Sequence, residues 1–154
     1  MKLLPTLALL LLTALPTFAR LGETKAECEA RYGKADHTLK SGIVVYKKAG
    51  MDIMITFSKD KAVKIIFSKP DPEHPDKSLA ISKAECDALL KANNGGGEWK
   101  EAPTSLPKID TWSLGDDKAM ATYEWESKML SIVDMAFMMN PPPNEEETKK
   151  LDGF

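Results

Sequence analysis

The chain has 154 residues, 43% hydrophobic and 29% charged, with a formal net charge of -2. These figures suit one compact domain, or two very small ones sharing a core, and exclude a disordered, collagenous or coiled-coil chain. With a sequence pI near 5.7 there is no basic footprint for nucleic acid. Two cysteines are too few for a disulfide scaffold and two histidines leave little for a metal cluster.

Met1–Arg20 reads as an export signal. Lys2 supplies the positive start, Leu3 to Leu15 the apolar stretch, and Thr17-Phe18-Ala19 a small-x-small cleavage site. Cleavage is expected after Ala19, giving a periplasmic or secreted protein. Pro5 and Pro16 interrupt a stretch already near the lower limit for crossing a bilayer, and no later segment could span one. Charge then divides unevenly. Residues 20–69 hold 11 Lys and Arg against 6 Asp and Glu, a net of +5. Residues 70–154 hold 9 against 17, a net of -8. Mutual attraction of the halves, or solvation of each, accounts for this split. A basic half meeting an anionic envelope surface is the sharper alternative.

Thr24-Lys-Ala-Glu-Cys-Glu-Ala30 recurs as Ser82-Lys-Ala-Glu-Cys-Asp-Ala88. Each copy carries a hydroxyl residue with Glu three positions on, the pattern of a capping box, so each is expected to start a helix. Gly33 should end the first helix and Gly95-Gly96-Gly97 the second. Three apolar runs of strand character follow each helix. The first set is Ile43–Lys48, Met51–Phe57 and Ala62–Ser68; the second is Asp110–Leu114, Ala119–Glu126 and Met129–Met138. Alternation puts Ile53, Ile55, Phe57, Val63, Ile65 and Phe67 on one face, with Met54 and Ile66 opposite. Ala49-Gly50, Lys59-Asp60, Gly115-Asp116-Asp117 and Ser127-Lys128 are spaced as turns. The last run is apolar on both faces, as in a strand covered on both sides.

The fold expected is therefore α+β: tandem α-β-β-β repeats, with helices packed on antiparallel sheet. Residues 1–19 are the signal, 20–69 the first repeat, 70–81 a Pro-rich linker, 82–139 the second repeat, and 140–154 a Pro-rich, charged tail. Within that tail, Glu145/Lys149 and Glu146/Lys150 have i,i+4 spacing.

No catalytic residue, cofactor site or metal site is expected. The chain has no G-x-S-x-G, P-loop, H-E-x-x-H or G-x-G-x-x-G. His74 lies among Asp71, Glu73 and Asp76, but three prolines there hinder convergence of ligands. His37 beside Asp36 lacks a nucleophile in any recognisable setting. The triple glycine follows a helix, whereas phosphate cradles precede one. Cys28 and Cys86 hold the same place in the repeated helix. They form either a disulfide, contributing on the order of 4 kcal/mol, or two small buried apolar side chains. Tyr46, Lys47, Lys48, Met54, Lys64 and Ile66 are the candidate interaction surface. Trp99 is expected in a loop, Trp112 in a strand, and Tyr123 and Trp125 on one strand face.

The strings Leu21–Lys34, Leu90–Lys100 and Lys149–Phe154 resemble an uncharacterised family of small exported bacterial proteins. Gly22-x-Thr24-x-x-Glu27, the Tyr32-Gly-Lys34 turn and a following meander are similar to the SmpA/OmlA family of outer-membrane assembly lipoproteins. The tandem plan is similar to beta-lactamase inhibitor proteins. The lipid-attachment Cys of SmpA/OmlA is missing here, and no catalytic residues carry over. The function expected is a non-enzymatic protein-binding module whose partner is an envelope or secreted protein. The alternatives are a secreted hydrolase inhibitor, and a small-ligand carrier or enzyme using an inter-repeat cleft. Oligomeric state is left open.

Overall fold

The computed structural model of the protein describes residues 20–141. The expected signal at residues 1–19 and nearly all of the charged tail, with its Glu/Lys pairs, lie outside the described residues. Helix α1 spans Lys25–Tyr32 and α2 spans Lys83–Ala92, and both capping boxes form. The Glu27 amide donates to Thr24 Oγ1 at 3.2 Å, and the Thr24 amide donates back to the Glu27 carboxylate at 2.7 Å. In α2 the matching distances between Ser82 and Glu85 are 3.3 and 2.8 Å. Gly33, at φ 90°, closes α1 in a region where a side chain would be strained.

The strands are β1 (His37–Thr38), β2 (Val44–Lys48), β3 (Met51–Ser58), β4 (Lys61–Pro70), β5 (Ser78–Leu79), β6 (Trp99–Glu101), β7 (Ile109–Leu114), β8 (Ala119–Glu124) and β9 (Met129–Asp134). The chain is α+β. Its nine-stranded antiparallel sheet has the order β1-β2-β3-β4-β9-β8-β7-β6, with β5 pairing the end of β4. Each half supplies a meander, and the two meet where β4 pairs β9, with Ile65 opposite Ile132 and Phe67 opposite Leu130. The β2–β3 and β3–β4 hairpins turn on Ala49-Gly50 and Lys59-Asp60, all four at positive φ. That backbone twist suits a two-residue hairpin despite the missing Asn-Gly.

One face of the sheet carries Val44, Tyr46, Ile53, Ile55, Ile65, Phe67, Ala121, Tyr123, Leu130 and Ile132. These join Cys28 and Tyr32 of α1 and Cys86, Leu89 and Leu90 of α2 in a single buried cluster.

Cys28 and Cys86 are both free thiols buried in the core, the arrangement of the small-apolar reading. Several expectations are corrected. The last strand ends at Asp134 rather than Met138, because the Asp134 carboxylate accepts the Phe137 amide and starts a short helix α3 (Met135–Met139). β9 is also not covered on both faces: Leu130 and Ile132 are buried, while Ser131 and Val133 are half-exposed. β8 stops at Glu124, and the turn takes in all of Trp125–Lys128. A bulge at Thr56/Phe57 shifts the register, so Ala62 takes the buried place expected for Val63. Trp99 lies in a strand, not a loop, paired to Leu114. His37 and the end of the linker also form strands, too short to show as periodic runs.

Candidate functional site

Two surfaces collect chemistry. The first is the sheet face opposite the buried cluster. Register places Val45, Met54, Ile66, Ser131 and Thr122 in one row across it, and Thr56, Lys64, Val133 and Met120 in the next. Apart from Val45, which is buried, these residues are half-exposed. Lys47 stands opposite Asp52 and reaches Asp36 at 3.7 Å. His37 pairs with the Asp36 carboxylate at 2.8 Å, and that bond holds Asp36 below the usual carboxylate range. Part of the linker comes back to this face. Pro75 and Lys77, with Val45, Met54 and Met129, line a shallow groove of about 250 Å³.

Four of the six expected surface residues share this face: Lys47, Met54, Lys64 and Ile66. The other two do not. Tyr46 lies directly across the hairpin from Ile53, and directly paired residues point to the same side, so it is fully buried in the core. Burial also pushes its hydroxyl up to about 12. Lys48 follows Tyr46's parity. Its ammonium donates to the Arg31 carbonyl and sits 5.8 Å from the centre of the Tyr32 ring, at the C-terminal end of α1.

The second surface is a cleft of about 290 Å³ between the start of α2 and strands β6, β7 and β8. Its aromatic wall is Trp112, Tyr123 and Trp125. Tyr123 and Trp125 meet edge to face with ring centres 5.2 Å apart. The Trp125 indole N–H donates to Asp110 at 3.1 Å, which fixes the plane of the exposed ring. The Tyr123 hydroxyl accepts the Ile81 amide at 3.2 Å, leaving its own proton available to donate. Asp87, Glu101 and Asp110 supply three carboxylates against one cation, Lys83, which is bonded to Asp87 at 3.1 Å. Cys86 contributes a buried thiol that burial pushes up to about 11.

No pattern in the residues marks the cleft as a unit. Its one legible signal was the shared parity of Tyr123 and Trp125, which does bring them together. Asp110 and Glu101 gave none, because their approach depends on hairpin register and on where α2 sits. Neither His37 nor His74 lines the cleft. Among the described residues no group of three or more His, Cys, Asp or Glu could hold a metal ion, and no helix is long and apolar enough to cross a membrane.

No family model and no curated protein matches the chain. A solved structure similar to it is a cysteine-rich secretory protein from Staphylococcus aureus, at 9% identity and a TM-score of 0.42. The similarity covers 77% of this chain but 46% of that one, so the chain spans about half the length of that protein.

Proposed function

We propose that the chain is an exported, non-enzymatic protein-binding module. It is a tandem α-β-β-β duplication, with both helices on one face of the sheet and the partner on the other. The observation that carries this reading is the row of half-exposed Met54 and Ile66 beside Lys64, on the face away from the core. Apolar side chains left partly open in the middle of a sheet, rimmed by charge, are the composition of a protein interface. The basic excess of residues 20–69 selects a partner whose contact surface is apolar with an acidic rim. The duplication is supported by two complete capping boxes 58 residues apart, by cysteines at matching positions, and by pairing of the third strand of each meander.

The test uses photo-crosslinking residues introduced singly at Met54, Ile66 and, on the exposed side of α2, Ala88, in protein expressed with its own leader. One adduct is expected from positions 54 and 66 and none from 88. Equal adducts from all three, or none from any, would reject this face. With the captured partner, K47E/K64E should slow association, and the difference should shrink as salt is raised.

A further inference from the structure

We infer that the aromatic cleft between α2 and strands β6–β8 is a binding site for an organic cation the size of a lysine side chain. The site is independent of the sheet face discussed above and lies on the opposite side of the sheet.

Three features set the ligand's chemistry. First, the shape: about 290 Å³ lies at the small end of ligand pockets, enough for an alkylammonium or guanidinium arm but not for a nucleotide. Second, the wall: Trp112, Tyr123 and Trp125 offer aromatic surface, and the faces of such rings attract cations. The Trp125 ring is 54% exposed yet held by its bond to Asp110, so its orientation is set before a ligand arrives. Third, the charge: Lys83 is engaged by Asp87, leaving Asp110 and Glu101 as the uncompensated carboxylates of the lining. An anionic ligand would meet both. A neutral apolar ligand would use the rings but would displace the hydration of the acids without replacing it. An alkylammonium satisfies both, its methylenes against the indoles and its N–H groups on the Asp110 oxygens.

The same ammonium chemistry is found on free diamines and on lysine side chains of a peptide, so the probes cover each. The purified protein is titrated with cadaverine, with N-acetyl-lysine methylamide and with its neutral isostere N-acetyl-norleucine methylamide, reading heat and tryptophan fluorescence. The amines should bind saturably with a change in fluorescence, and the norleucine compound should not. Tighter binding of the lysine amide than of cadaverine would mark a peptide-borne ligand, and the reverse a free amine. D110N keeps an oxygen to accept the Trp125 N–H but removes the charge, and should weaken amine binding about tenfold. W125F, which loses the N–H bonded to Asp110 but keeps a ring against Tyr123, should weaken it severalfold and lower the melting temperature only slightly. Failure of both amines to bind, equal binding of the neutral isostere, or indifference to D110N in a normally folded variant would overturn the assignment.

Discussion

At the residue scale, burial decides what Cys28 and Cys86 can do. Their thiols are pushed up to about 12 and about 11, chiefly because the thiolate would lose its water. The folded protein therefore keeps both protons well above the pH at which the unfolded chain, with ordinary thiols near 9, releases them. Stability is fully present below about pH 9 and is lost as pH rises through 11 and 12, with Tyr46 adding a loss of the same sign. Thermal melts should accordingly fall between pH 8.5 and 11. The decline should be shallower in C28A/C86A. Native protein at pH 8 should resist iodoacetamide, whereas urea-unfolded protein, never exposed to reductant, should gain two adducts by mass. No adducts in urea would mean that the thiols are bridged after all.

At the element scale, the two helix starts look alike but are electrostatically unequal. Glu27 is lowered mainly by its capping bonds with Thr24. Glu85 is taken further, to about 2, because Lys69 from β4 donates to it at 2.8 Å in addition to the Ser82 cap. A depressed carboxylate contributes stability above its unfolded value near 4.5, and that contribution disappears as pH falls toward 2. E85Q should therefore flatten the loss of stability between pH 5 and 2 relative to wild type. S82A should cost about 1 kcal/mol at neutral pH in denaturant titrations. An unchanged acid limb in E85Q would show that the Lys69 pairing is not held in solution.

At the scale of the whole molecule, one strand pair and one core join the halves. Residues from both helices and from strands on either side of the β4–β9 seam belong to the same buried cluster. Neither half closes a core alone, so the two should unfold together. This is measurable because Trp99, Trp112 and Trp125 all lie in the second half, while far-ultraviolet dichroism reports both. The two signals should give coincident urea transitions. L130A, at the fully buried seam, should shift both by the same amount, losing about 2–5 kcal/mol. Separate transitions would mean that each half folds by itself.

The amino-acid sequence by itself determined what depends on neighbours a few residues away. Thr24/Glu27 and Ser82/Glu85 each complete a capping box within one helical turn, so both helix starts were readable. The alternation of Met51–Ser58 and the two-residue spacings after β2 and β3 likewise announced the first meander. Tertiary structure decided everything that turns on register over longer range. Tyr46 is not such a case: a two-residue turn at Ala49-Gly50 already sets it opposite Ile53, and directly paired residues share a face. Val63 gave way to Ala62 because of a bulge that leaves no mark in hydropathy. The joining of the meanders through β4 and β9 could not be read from either strand, since both are apolar enough to pair with any neighbour. The cleft is the clearest case. Asp110 and Trp125 are 15 residues apart and Ile81 and Tyr123 are 42 apart, and only the folded sheet brings their hydrogen-bonding groups within reach.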